Sequence, residues 1–192
     1  MSSSPFSNPS KMPCAADPGA AFGMLKPRFI SVSMGPSNLD AIGQHFAVNL
    51  FGMFNVTRAF LPLLKRSKGA IVNNLSMVAL AALPVIPAYS ISKAAAFNMT
   101  QSLRALLAGQ GVTVHAVVLG PIDTDMNRGF NIPKASPESA AQGIFDGLEK
   151  GEDDIFPDPA SHSIAADWRA GAVKALERQF AGFVPESAAI SR

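Results

Sequence analysis

Tyr89 is the only tyrosine in the chain, and Lys93 follows it four residues later. On a helix, residues i and i+4 share one face with their Cβ atoms about 5–6 Å apart, so the ammonium can approach the phenol. A free phenol has a pKa of about 10, and a neighbouring cation favours the phenolate. The pair could therefore act as an acid or base near neutral pH. On spacing alone, a packed tyrosine beside a surface lysine is the better interpretation.

Three other segments place polar or small residues where a site could use them. Ser76 ends a predicted strand, and residues 120–126 follow another. At the carboxyl edge of a parallel sheet, such residues face the crevice in which ligands bind. Asn49 lies in the middle of a predicted helix among apolar residues. Its buried amide needs a partner, which could be a site or only backbone and water.

The elements that must position these residues alternate along the chain. Helical periodicity predicts helices over residues 40–66, 87–108, 136–150 and 164–183, and apolar runs predict strands over 70–76, 112–119 and 154–156. A further short strand is predicted over 29–33. Pro62 should bend or loosen the end of the first helix. The alternation predicts an α/β layer structure with a mostly parallel sheet and flanking helices.

Composition excludes several classes of protein. The chain has 192 residues, of which 48% are hydrophobic and 16% charged, and its net charge of +2 includes no basic run suited to nucleic acid. No stretch approaches about 18 uninterrupted apolar residues, so no membrane span is predicted. Cys14 is the only cysteine, which favours a reducing, cytoplasmic setting. We predict no metal site.

Five segments together carry a more specific signal than the tyrosine–lysine spacing. In order and spacing, they resemble consecutive parts of a short-chain dehydrogenase/reductase: HFAVNLFGMFNVTRAFLPLL, IVNNLS, AYSISKAAAFNMTQSLRALL, VTVHAVVLGPIDTDM and DDIFPDP. The resemblance covers about residues 36–184. It implies a Rossmann-like fold and an oxidoreductase that transfers a hydride between NAD or NADP and a carbonyl or alcohol substrate.

The resemblance also implies a role for each matching residue. Tyr89 would be the general acid/base at the substrate oxygen, and Lys93 would lower its pKa and bind the nicotinamide ribose. Ser76 would orient the substrate oxygen, and Asn49 would help to hold a water in a proton relay. The residues that would flank the nicotinamide, with the last near its carboxamide, are Gly120, Pro121, Ile122 and Thr124.

The opening part of the family pattern has no match in this sequence. Its TGxxxGxG turn is absent, and the nearest pattern, residues 19–23, lacks the later glycine. Because that turn and the following helix normally hold the pyrophosphate, we expect weak NAD(P) binding. We expect an N-terminally truncated member that lacks the first nucleotide-binding βαβ units. Residues 1–27 would form a flexible tail, and residues 28–192 a partial domain.

Two functions besides that of an unstable by-product stay open. The first is the oxidoreductase, and the second is a catalytically impaired protein that acts by dimerising. The helices at 40–66 and 87–108 carry apolar residues on more faces than one sheet can cover. In the family these helices form the main dimer contact, so we expect a homodimer or larger assembly through them. The sequence specifies neither the substrate nor the choice between NAD and NADP.

Overall fold

The computed structural model describes residues 41–184, and the predicted tail and the predicted strand at 29–33 lie outside them. Within the described residues, three parallel strands form a sheet in the order β1 (Ala70–Asn74), β2 (Thr113–Val117) and β3 (Asp154–Ile155). The predicted parallel sheet is confirmed. All three strands are shorter than predicted, because the residues after each one turn into loops at the carboxyl edge.

Six helices surround this sheet in the described residues. They are α1 (Ile42–Ser67), α2 (Pro87–Leu107), α3 (Pro137–Glu149), α4 (Pro159–His162), α5 (Ala165–Ala170) and α6 (Ala172–Ala181). Proline at the first helical position and the Ser136 cap start α3 as predicted, with Ser139 N donating to Ser136 Oγ at 3.1 Å. Helix α1 continues past Pro62 to Ser67.

The core lies between the sheet and the two long helices, α1 and α2. One cluster joins Ile71 of β1 and Val114 of β2 to Leu107, with Leu61 and Leu64 of α1 packed against it. Side chains alternate along β1, so that Ile71 and Asn73 are buried whereas Val72 is 41% exposed. The sheet therefore packs against α1 and α2 through one face of β1.

Helix α1 carries a second apolar face that points away from the core. Its exposed apolar residues are Val48, Phe51, Phe54, Val56, Phe60 and Leu63. By length and composition alone α1 could cross a membrane, although the sequence predicted no span. One such helix is weak evidence for a membrane, because core helices of soluble proteins can meet the same criterion.

The prediction of one helix over residues 164–183 is wrong. The chain becomes extended at Gly171 and divides this segment into α5 and α6. Helix α6 also presents charge inward, because Lys174 is only 3% exposed whereas Val173 and Leu176 are 57% and 45% exposed. The reason lies in its neighbours: carboxylates on β3 and on α6 itself surround the buried ammonium.

Candidate active site

Tyr89 and Lys93 lie one turn apart at the start of α2. Pro87 begins this helix, with its fixed φ suited to the first turn. The Lys93 Nζ atom lies 5.7 Å from the centre of the Tyr89 ring. The two side chains therefore share one helix face, in the approach that their spacing indicates.

Lys93 reaches from α2 to the carboxyl end of β1. Its Nζ atom donates to the Asn74 carbonyl oxygen at 3.0 Å. The ion pairs of residues 41–184 include no carboxylate partner for this ammonium. Burial lowers the pKa of Lys93 below its usual value. Because an ammonium has three N–H donors, Lys93 retains donors beyond the bond to Asn74.

The Tyr89 phenol has a pKa above its usual value in this structure. Burial raises the pKa, and the hydrogen bond with the Ser76 side chain acts in the opposite direction. The ring of His45 on α1 packs edge-on against Tyr89, with the centroids 5.9 Å apart. The upward shift prevails because removing the phenolate from water costs more than the hydrogen bond with Ser76 returns.

Asn49 connects α1 to the start of α2. It lies in a π-helical stretch, Ala47–Gly52, which interrupts the α-helical hydrogen bonding of α1. Its Nδ2 atom donates to Ser92 Oγ at 2.9 Å, and Ser92 Oγ donates to the Tyr89 carbonyl at 2.8 Å. Single-turn π-helical insertions are frequent at functional sites. Asn49 was predicted from the sequence as a site residue, but nothing in the composition predicted the π-helical turn.

Ser76 follows β1 and caps the short 3₁₀ helix Met77–Ala79. Its Oγ accepts from Val78 N at 3.4 Å. The next residue ties two loops together, because Met77 N donates to the Leu119 carbonyl at 2.9 Å. The loop after β1 and the loop after β2 thus run side by side, and Gly120 comes directly after this bond.

Gly120 contacts a residue that the sequence analysis did not single out. Its N–H donates to Asp158 Oδ2 at 2.8 Å, and a Cβ at this position would lie 2.5 Å from Asp158 Oδ1. Glycine is therefore needed here to admit a carboxylate of the protein itself. A signal for Asp158 was present in the sequence, since Asp-Pro with a serine three residues later is typical of a helix cap.

The remaining predicted residues lie in the loop between β2 and α3. Ile122 forms an isolated bridge with Ala135, and its carbonyl accepts from Asn127 Nδ2 at 2.8 Å. Thr124 is exposed, and its hydroxyl reaches only the Ile122 carbonyl at 3.5 Å. The structure thus brings together Asn49 on α1, Ser76 after β1, and Tyr89 and Lys93 on α2. The start of the loop after β2 lies beside them.

Comparison with known proteins agrees with this arrangement. Residues 31–134 match the family model for short chain dehydrogenases. The chain belongs to the short-chain dehydrogenase family. A solved member from Burkholderia cenocepacia, in complex with NADP, superposes with a TM-score of 0.64 at 40% identity, over 73% of this chain and 61% of that one. The predicted Rossmann-like fold is confirmed.

Two curated relatives show how much of a short-chain dehydrogenase this chain spans. It is 36% identical over 114 residues to the 3-oxoacyl-[acyl-carrier-protein] reductase FabG of Thermotoga maritima, covering 59% of this chain and 44% of that protein. It is 35% identical over 114 residues to the inactive 2-(S)-hydroxypropyl-CoM dehydrogenase 2 of Xanthobacter autotrophicus, covering 58% and 50%. The chain spans about half the length of these relatives.

Proposed function

We propose that this chain carries the catalytic centre of an NAD(P)-dependent oxidoreductase that interconverts a carbonyl and an alcohol. The observation that carries the proposal is the meeting of Tyr89, Lys93, Ser76 and Asn49 at the carboxyl edge of the parallel sheet. This edge is where open α/β sheets bind their ligands. Family membership supports the same class of reaction.

Tyr89 is the proposed proton donor and acceptor. A phenol has an ordinary pKa of about 10, and burial shifts that of Tyr89 further upward, so the protonated phenol can donate to the oxygen of a carbonyl that is being reduced. Ser76, which hydrogen-bonds with Tyr89, would hold the same substrate oxygen. In the oxidation direction the phenol must first lose its proton. The ammonium of Lys93, 5.7 Å from the ring, would then stabilise the phenolate.

The residues present suit the nicotinamide end of a dinucleotide. Lys93 is partly buried and retains N–H donors, which suits the paired hydroxyls of a ribose. The exposed Thr124 hydroxyl could bind an amide, and Pro121 and Ile122 give the loop an apolar surface. When bound, NAD(P)H supplies the hydride. Asn49 would hold a water close to Lys93 and return the proton to Tyr89 from solvent.

Cofactor affinity is expected to be weak for this chain. No glycine-rich turn precedes a helix in residues 41–184, so the described residues offer no site for the pyrophosphate. We expect a Kd for NADH or NADPH in the millimolar range or weaker. A millimolar Kd corresponds to a binding free energy of about −4 kcal/mol. Calorimetric titration of the purified chain tests this, together with NAD(P)H oxidation in the presence of a panel of ketones. Micromolar binding would show that other residues complete the site, whereas no binding to either cofactor would contradict the proposal.

A second proposed function is dimerisation through α1 and α2, in a catalytically impaired protein. The observation that favours it is the outer face of α1, where Phe51 and Phe54 are 52% and 42% exposed. A two-fold contact buries the same patch on both copies, so one apolar face is enough. A second copy over α1 would also account for the apolar composition of its outer face.

Solution mass tests the dimer. The chain is expected to elute as a dimer or larger species at tens of micromolar, and Phe51→Glu or Phe54→Glu should give monomers. Phe145→Glu on α3 is the matched control, since that side chain is 63% exposed and lies outside α1 and α2. A compact wild-type monomer, or equal loss of the dimer in all three variants, would contradict this assignment.

A further inference from the structure

Asp158 has more hydrogen-bond donors around its carboxylate than a helix cap requires. The residue is 3% exposed and lies between β3 and the short helix α4. Its Oδ1 atom accepts from Ala160 N and Ser161 N, both at 3.1 Å. Its Oδ2 atom accepts from Ser161 Oγ at 2.7 Å and from Gly120 N at 2.8 Å. One oxygen caps the helix, and the other binds the loop after β2.

We propose that Asp158 is a positioning residue that fixes residues 120–124, the loop that would flank a bound nicotinamide, in its observed conformation. This inference rests on the proposed function. Gly120 is held on its other side by the bond from Met77 N to the Leu119 carbonyl, so the loop begins between two anchors. Charge assistance makes the bond to the carboxylate stronger than a neutral one. Removing this anchor frees the loop without touching Tyr89 or Lys93.

The two oxygens of Asp158 allow its two contacts to be separated by substitution. Asp158→Asn can keep Oδ1 as the acceptor that caps α4. Its Nδ2 then faces the Gly120 N–H, and two donors cannot bond to each other. Ser161→Ala is the matched control, because it removes a different donor from Oδ2 and leaves the Gly120 contact in place. Asp158→Asn therefore keeps the cap of α4 and loses the bond to Gly120, whereas Ser161→Ala keeps the bond to Gly120.

Hydrogen–deuterium exchange of the full chain, read by mass spectrometry, tests the positioning role. In Asp158→Asn, the amides of Gly120, Ile122, Asp123 and Thr124 are expected to exchange about tenfold faster than in the wild type, in line with the loss of one charge-assisted hydrogen bond. The Ser161→Ala protein should keep wild-type exchange in this loop. Equal loop exchange in the wild type and Asp158→Asn, or equal acceleration in both variants, would overturn the proposal.

Two further measurements keep the test decisive. If Asp158→Asn fails to fold, Gly120→Ala replaces it, because the added Cβ would lie 2.5 Å from Asp158 Oδ1 and should displace the loop in the same way. NADPH titration of the same proteins should show weaker binding in Asp158→Asn than in Ser161→Ala. A wild-type chain that binds no NADPH would contradict the proposed function, whereas the exchange rates would still decide whether Asp158 holds the loop.

Discussion

Lys174 and Lys93, both at least partly buried, lie in opposite electrostatic surroundings. Lys174 on α6 lies 2.9 Å from Asp154 Oδ2, 3.0 Å from Glu177 Oε2 and 3.4 Å from Asp153 Oδ2. Lys93 on α2 is also partly buried, but its assigned contact is the Asn74 carbonyl. Carboxylates surround the Lys174 ammonium, whereas the Lys93 ammonium has no carboxylate partner among residues 41–184.

This difference supports the proposal that Lys174 has a structural role and that Lys93 serves the cofactor site. Arg104 of α2 completes the cluster at Lys174 by binding Glu177 and, at 2.7 Å, Asp154, which attaches α6 to the sheet and to α2. Burial instead lowers the pKa of Lys93, because it disfavours the charged ammonium. No ion pair among the described residues offsets this desolvation cost. A cost of this kind is typical of active sites.

The largest expected effect is the loss of catalytic activity when Tyr89 or Lys93 is substituted. Tyr89→Phe removes the phenol, and no other tyrosine in the chain can replace it. Any carbonyl reduction should fall by about 10²–10⁴-fold, the usual contribution of a positioned acid or base. Lys93→Ala should cost nearly as much. Assays with NADPH measure both, and retention of more than a few per cent of activity by Tyr89→Phe would remove Tyr89 from the mechanism.

The next largest effect is on stability at the other lysine. Lys174→Met leaves buried carboxylates without their cation, which typically costs about 3–5 kcal/mol. Urea unfolding followed by circular dichroism measures the change, with Lys150→Met on the exposed surface as the control. A loss no greater than that of the control would show that the cluster does not stabilise the fold.

Lys93→Met should have a much smaller effect on the same unfolding curve. Because the Lys93 ammonium has no carboxylate partner in residues 41–184 and pays a desolvation cost, an apolar side chain of similar length should change stability by less than about 1 kcal/mol, or increase it. Unfolding of the Lys93→Met and Lys174→Met proteins under one set of conditions makes the comparison direct. Equal destabilisation would mean that both lysines are structural.

The smallest effect concerns pH. Burial acts to raise the pKa of Asp154, but Arg104, Lys174 and the Trp168 indole together hold it below its ordinary value. Since the folded pKa lies below the unfolded value of about 4, the stabilisation is complete above about pH 4 and is lost as the pH falls through the folded pKa. The stability difference between the wild type and Asp154→Asn should therefore shrink below pH 4 and stay constant from pH 5 to 8. A difference independent of pH would contradict this linkage.

The sequence could predict the sheet and much of the site because both depend on short local patterns. Buried apolar runs gave the three strands, and the segments around Ser76 and Tyr89 carry a family pattern that fixes their order. Helix type and extent were also predictable for α2 and α3, where proline and Ser136 mark the starts.

What the sequence could not predict depends on contacts between distant residues. The buried face of α6 is charged because Asp154, 20 residues earlier, pairs with Lys174, and Arg104, 70 residues earlier, binds Asp154 and Glu177 beside it. The apolar spacing of α6 suggested no such neighbours. The bonds from Asn49 to Ser92 and from Gly120 to Asp158 likewise join residues 43 and 38 positions apart. The raised pKa of Tyr89 depends on burial, which the Tyr89–Lys93 spacing does not report.

The most direct test of the contrast between the two lysines is saturation-transfer NMR of NADPH with the purified chain, which detects binding in the millimolar range. If Lys93 and Tyr89 form the nicotinamide end of a site, saturation should concentrate on the nicotinamide and its ribose, with little on the adenine. Lys93→Met should abolish the signal, and Lys150→Met should leave it unchanged. Saturation strongest on the adenine, or an unchanged signal in Lys93→Met, would contradict the assignment of Lys93 to a nicotinamide site.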